Sequence, residues 1–134
     1  MSHMIRLPDL ALGELEQEVL AALWHDGALS PGEVHERVGV ARGISVNTVS
    51  SALKRLHKKG LLDREKISHS YVYNAIVSRA ELQRHLIDAI ASKFADEERS
   101  GLLAAFVDVA QAGGERELRA LEALVAARLK EGGS

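Results

Sequence analysis

Cysteine is absent from this 134-residue sequence. That one absence removes disulfides, thiolate metal sites, iron–sulfur clusters and a cysteine nucleophile together. Apolar runs approaching the roughly 20 residues of a membrane helix are also missing, as is the basic-then-apolar order of a secretory signal. A cytoplasmic chain with no membrane partner is therefore expected. There is no Gly-rich phosphate loop, no GxSxG and no carboxylate pair with a forced geometry, which argues against an enzyme. His25, His35, His57, His69 and His85 form no HxH or HExxH spacing, so neither a metal nor another cofactor is expected. His3 is set aside with Met1 and Ser2, which precede Met4 in the manner of vector-derived residues.

An overall excess of basic charge is lacking too: 17 Lys and Arg stand against 19 Asp and Glu, a net charge of −2. On totals alone this argues against a nucleic-acid partner, but the distribution reverses the argument. Met1 to Ala41 holds two basic and seven acidic residues, whereas Arg42 to Tyr73 holds seven basic and two acidic. The positive charge is thus gathered in one quarter of the chain. With 46% hydrophobic and 27% charged residues, the composition is that of a folded domain with a helical extension.

The order of elements can be read from periodicity and caps. Leu15, Val19, Ala22 and Leu23 give a first amphipathic helix over Gly13–His25, closed by Asp26-Gly27. Ser30-Pro31-Gly32-Glu33 is a capping box opening a second, short helix to about Val38. Ser45 caps a third helix to about Lys59, with Val46, Val49, Leu53 and Leu56 assigned to one apolar side and Gly60 at its left-handed end. Leu61–Ile67 and Tyr71–Ile76 then alternate as strands about a Ser68-His69-Ser70 tip. Three helices followed by a hairpin give the expected fold class: mainly α with a small β-hairpin, a winged helix-turn-helix plus a C-terminal helical dimerisation region. The boundaries expected are 5–77 for the winged domain and 78–131 for the helical region. Ser78-Arg79-Ala80-Glu81 is a second capping box for a fourth helix to about Phe94, and two further helices flank Gly113-Gly114.

On the third helix, Asn47, Thr48, Ser51, Lys54, Arg55 and Lys58 lie away from the apolar residues. A helix fits the major groove, where Asn pairs with adenine, Arg with guanine, and Ser or Thr with base edges or phosphates. Arg42, Lys54, Lys58, Lys59 and Lys66, with His69 at the hairpin tip, complete a candidate DNA-binding set directed mainly at phosphates. A solvated helix face is the plainer alternative for these residues. Tyr71 and Tyr73 read as packing residues of the hairpin. The apolar stripes of the C-terminal helices, Leu82, Leu86, Ile90, Phe94, Leu102, Leu103, Phe106, Leu118, Leu121 and Val125, are too exposed on such short helices to stand alone. They are candidates for a homodimer interface, the alternative being that these helices fold back on their own domain.

These residues resemble the penicillinase-repressor (BlaI/MecI/CopY) family of transcriptional regulators. The resemblance lies in Leu12-Gly13-Glu14-Leu15-Glu16, Leu23-Trp24, Val34-His35, Asn47-Thr48-Val49, Leu53-Lys54-Arg55-Leu56-His57-Lys58-Lys59-Gly60-Leu61-Leu62 and Tyr71-Val72-Tyr73. It implies a dimeric winged-helix repressor on double-stranded, palindromic operator DNA, with Thr48 and Arg55 as DNA contacts and the dimer made by the C-terminal helices. Asn47 departs from the family's frequent Thr, and Ser68-His69-Ser70 from its Gly-containing wing tip. The Asn-Phe bond cut in β-lactam-responsive members is missing, since Phe94 follows Lys93 and Phe106 follows Ala105. The cysteine cluster of copper-responsive members is missing as well, and the inducing signal or regulatory protease stays unspecified. Two other functions remain open: a ligand-sensing winged-helix regulator of the multidrug-responsive type, and a winged-helix protein-interaction module without DNA function.

Overall fold

The computed structural model describes residues 12–93 and 100–133. Its contacts divide the chain into two compact units, residues 1–90 and 91–134. Helix α1 spans Glu14–Asp26. The second helix, α2, begins as an α turn at Pro31–Val34, widens to a π turn at His35–Gly39 and ends in an α turn at Val40–Arg42. Helix α3 is Val46–Lys58, strands β1 and β2 are Leu62–Ile67 and Ser70–Ala75, and α4 is Arg79–Lys93. In the second unit, α5 is Ser100–Ala112 and α6 is Glu115–Gly132.

Local chemistry sets most of these boundaries. The Ser30 hydroxyl accepts from Glu33 N–H at 3.2 Å while the Glu33 carboxylate accepts from Ser30 N–H at 2.9 Å. Ser78 and Glu81 repeat this reciprocal cap at 2.8 and 3.0 Å. α2 runs on past the expected stop at Val38 because the π turn takes up an extra residue. It ends only at Gly43, whose φ of 70° supplies a left-handed terminus.

The core of the winged unit draws on every element. Val19, Leu20 and Leu23 of α1, Val34 and Val38 of α2, Val49, Ala52, Leu53 and Leu56 of α3, and Leu61, Leu62, Tyr73, Val77 and Leu82 are buried together. Each sealed Val or Leu contributes roughly 1.5–3 kcal/mol. The hairpin is antiparallel, with Leu62 opposite Ala75 and Ile67 opposite Ser70. The turn is thus Ser68-His69, one residue shorter than the expected tip, and Ser68 takes a φ of 61°, where glycine avoids a Cβ penalty. Leu29 adds a third strand position that periodicity did not reveal. Its N–H donates to Tyr73 O at 2.9 Å, and Tyr73 N–H donates back to Leu29 O at 2.8 Å.

Two residues stand elsewhere than expected. The start of α4 lies on the winged core through Leu82, Leu86 and Ala89, and contacts group residues up to Ile90 with that unit. Leu82 retains 4% of its surface, so it belongs to its own chain's core and offers a partner nothing; Leu86 is half-buried beside it. Val46 is the reverse case: assigned to the apolar side, it stays 40% exposed. Ala52 occupies the core instead. At 100° per residue Val46 lies roughly 70° from the centre of the Val49, Ala52, Leu53, Leu56 face.

In the second unit α5 and α6 pack as a hairpin about Gly113-Gly114. Ala110 is buried there, and Leu102, Leu118 and Leu121 are half-buried. Leu103, Phe106, Val125 and Leu129 remain exposed, Leu129 by 71%. Ile90, in the first unit, is exposed too, and Phe94 lies outside the described residues.

Candidate nucleic-acid interface

α3 has two chemically distinct sides. Val49, Ala52, Leu53 and Leu56 seal one against the core, and Asn47, Thr48, Ser51, Lys54, Arg55 and Lys58 occupy the exposed remainder. The helix is started by Ser45, whose Oγ accepts from Thr48 N–H at 3.2 Å and lies 3.1 Å from Thr48 Oγ1. In the winged unit α1, α2 and α4 each carry glutamate in the first turn, favoured by the helix dipole, whereas the first turn of α3 holds no acid. That end of α3 therefore presents backbone N–H groups without a carboxylate to repel phosphate.

The turn before α3 is rigid for an identifiable reason. His35 Nε2 lies 2.8 Å from Ile44 O and donates to it, pinning the loop that joins α2 to α3. Its ring passes directly over Gly39, where a Cβ would sit 2.4 Å from His35 Cδ2 and 3.0 Å from Val49 Cγ2. His35 thus acts as a clamp. Among the described residues no three His, Asp or Glu side chains gather as a metal site.

The basic cluster legible in the sequence is partly answered within the chain. Arg42 pairs with Glu18. Lys59 Nζ donates to the two carboxylate oxygens of Glu16 at 2.9 and 3.1 Å, and Arg55 Nε stands 3.7 Å from the same carboxylate. Glu16 is buried and also accepts from Gly13 N–H at 3.1 Å. Burial alone would raise its pKa, but the Lys59 hydrogen bonds, the Gly13 N–H and the charges of Lys59 and Arg55 outweigh burial and hold it below the usual 4.5. Lys54, Lys58 and Lys66 are exposed and have no ion pair among the described residues. Arg42 and Lys59 are thereby separated from the freely presented cations that the sequence grouped them with.

Because the carboxylate pKa is depressed on folding, Glu16 contributes stability above pH 4.5 that is lost as pH falls through its folded value. Glu16→Gln is expected to lower stability at pH 7 by roughly 2–3 kcal/mol, since it strands the half-buried Lys59 ammonium. The difference from wild type should shrink in urea titrations carried to progressively lower pH, as protonation takes the charge from wild type too.

On the wing, Arg64 lies opposite Tyr73, and Lys66 opposite Tyr71. The Arg64 guanidinium sits 4.2 Å from the Tyr71 ring centroid and its Nη1 lies 3.5 Å from the Tyr73 hydroxyl. Tyr73 is buried and contacts His57 of α3 edge-on at 6.4 Å, coupling the wing's base to α3. Lys66 and His69 are exposed toward and at the tip. The wing's exit is fixed by Trp24 Nε1, which donates to Val77 O at 2.8 Å while Arg79 lies over the indole at 4.8 Å.

Comparison with known proteins agrees with this arrangement. The penicillinase repressor family model matches residues 12–127, through both units. A transcriptional regulator BlaI from Mycobacterium tuberculosis (strain ATCC 25618 / H37Rv) is 31% identical over 99 residues, 72% of this chain and 72% of that protein. The methicillin resistance regulatory protein MecI of Staphylococcus aureus (strain N315) is 25% identical over 72 residues, 54% of this chain and 58% of that protein. The solution structure of the DNA binding domain of the repressor BlaI matches with a TM-score of 0.50 at 26% identity, covering 58% of this chain and 93% of that one. Winged fold, exposed polar side of α3 and family match lead to one conclusion: the chain belongs to the penicillinase repressor family of DNA-binding transcriptional regulators.

Proposed function

We propose that the chain represses transcription as a homodimer on a palindromic operator, with α3 of each copy in the major groove and the wing on the flanking backbone. The observation that carries this reading is the division of α3 into a sealed apolar side and an outer side of Asn47, Thr48, Ser51, Lys54, Arg55 and Lys58. Asn47, Thr48, Ser51 and Arg55 meet base edges, while Lys54, Lys58, Lys66 and His69 meet phosphates. Arg42 and Lys59, tied to Glu18 and Glu16, keep the scaffold beside the contact in place.

The dimer is supported by the second unit. Exposed Leu103, Phe106, Val125 and Leu129 on α5 and α6, with half-buried Leu102, Leu118 and Leu121, form more apolar surface than so small a unit keeps from water. A two-fold partner covers it with the same residues and sets two α3 helices about one DNA turn apart.

A titration against the chain's own promoter fragment and a scrambled duplex, at about 150 mM salt, tests both parts. A preference of about a thousandfold with two protomers per site is expected. Equal weak binding to both duplexes would overturn the repressor reading, and a monomer by sedimentation would overturn the dimer. Lys58→Ala is expected to weaken binding to both duplexes alike and to reduce the slope of log affinity on log salt by about one.

A further inference from the structure

Val46 is the residue of α3 that its amphipathic spacing misplaces. It keeps 40% of its surface, whereas Val49, Leu53 and Leu56 on the same nominal stripe are sealed. It stands first in the helix, after the Ser45 cap and before exposed Asn47 and Thr48. A β-branched residue there adds nothing to helix propensity, and Val46 is not one of the side chains sealed in the core. A lone exposed valine is ordinary on most surfaces. The first turn of the second helix in a helix-turn-helix is not most surfaces, since it is the part that reaches base edges. The Ser45 and Thr48 hydroxyls are already within hydrogen-bond distance of each other, and Val46 is the exposed side chain of that turn that is wholly apolar. On major-groove edges the apolar group is the thymine 5-methyl.

We infer that Val46 is a specificity-determining residue that packs against the 5-methyl group of one thymine in each half-site, beside the base met by Asn47. The inference rests on the reading that α3 enters the major groove. The contact removes water from two apolar groups and selects thymine over cytosine, which has no methyl there and carries an amino donor in place of the O4 acceptor.

The test is a thymine-by-thymine replacement with deoxyuridine across the protected promoter region, which deletes the methyl and keeps base pairing. Full-length wild type and Val46→Ala are titrated against each duplex. At one thymine per half-site, wild type is expected to weaken by about fourfold, the value of one buried methyl-sized group. Val46→Ala should bind the thymine and deoxyuridine forms of that duplex alike. A thymine dependence that persists unchanged in Val46→Ala, or no thymine whose methyl matters to wild type, overturns the assignment. Failure of the underlying reading has a different signature: wild type would bind promoter and scrambled duplex equally, and the assignment to Val46 would fall with it.

Discussion

Arg55→Ala is expected to weaken operator binding by about 10- to 100-fold, the loss from removing a bidentate arginine–guanine contact. Arg55 is set apart from its basic neighbours by how it is held. Its side chain is 54% exposed on the outer side of α3, yet its Nε is within 3.7 Å of the buried Glu16 carboxylate. That carboxylate is anchored independently by Lys59 and Gly13. The guanidinium is therefore biased in direction from behind while its outer N–H groups stay free, an arrangement suited to a planar two-donor contact. Anisotropy titrations with promoter and scrambled duplexes measure the effect, with sedimentation to verify that the oligomeric state is unaltered. Arg55→Lys separates the two modes of contact. A lysine that restores affinity assigns Arg55 to a phosphate, and one that fails assigns it to a base. Unchanged affinity in Arg55→Ala would remove the residue from the interface.

The second large effect is on the scaffold. Glycine within a helix, where the structure places Gly39, ordinarily gains about 0.5–1 kcal/mol on replacement by alanine. The structure predicts the opposite sign. A Cβ at Gly39 would meet His35 Cδ2 at 2.4 Å, and the imidazole has no free direction because Nε2 is bonded to Ile44 O at 2.8 Å. Moving the ring breaks that bond, and Val49, at 3.0 Å on the other side, is in the core. Overpacking and a lost hydrogen bond together are expected to lower stability by about 2 kcal/mol net. Thermal unfolding should then begin roughly 8–16 °C lower. DNA affinity should fall as well, since the α2–α3 corner sets the angle of α3. Gly39→Ala with an unchanged or raised melting temperature would show that the His35 clamp does not bind the corner together.

Much of this architecture is local and was legible for that reason. Caps at Ser30, Ser45 and Ser78 act over three residues, and Gly60 ends α3 with a φ of 85°. The polar side of α3 follows from a 3.6-residue period that the buried side imposes. Where such rules broke, a distant contact had intervened. Val46 lies at the edge of the apolar stripe, and only the depth of the core at that end of α3 decides that it stays in contact with water. Leu82 looked like interface and became core because the wing's exit, pinned by Trp24 to Val77 O, lays the start of α4 against the winged unit.

The sequence by itself determined the element order, the caps, the amphipathic third helix and the concentration of positive charge between Arg42 and Tyr73, because each depends on residues within a few positions of one another. Tertiary structure alone decided which of those charges remain available. Lys59 finds Glu16 across 43 positions of chain and Arg42 finds Glu18 across 24, while Lys54, Lys58 and Lys66 stay exposed to solvent. Leu29 meets Tyr73 by the same kind of long-range meeting. Charge counting sums along the chain, whereas ion pairing and burial depend on distance in space, and folding brings those distant groups together.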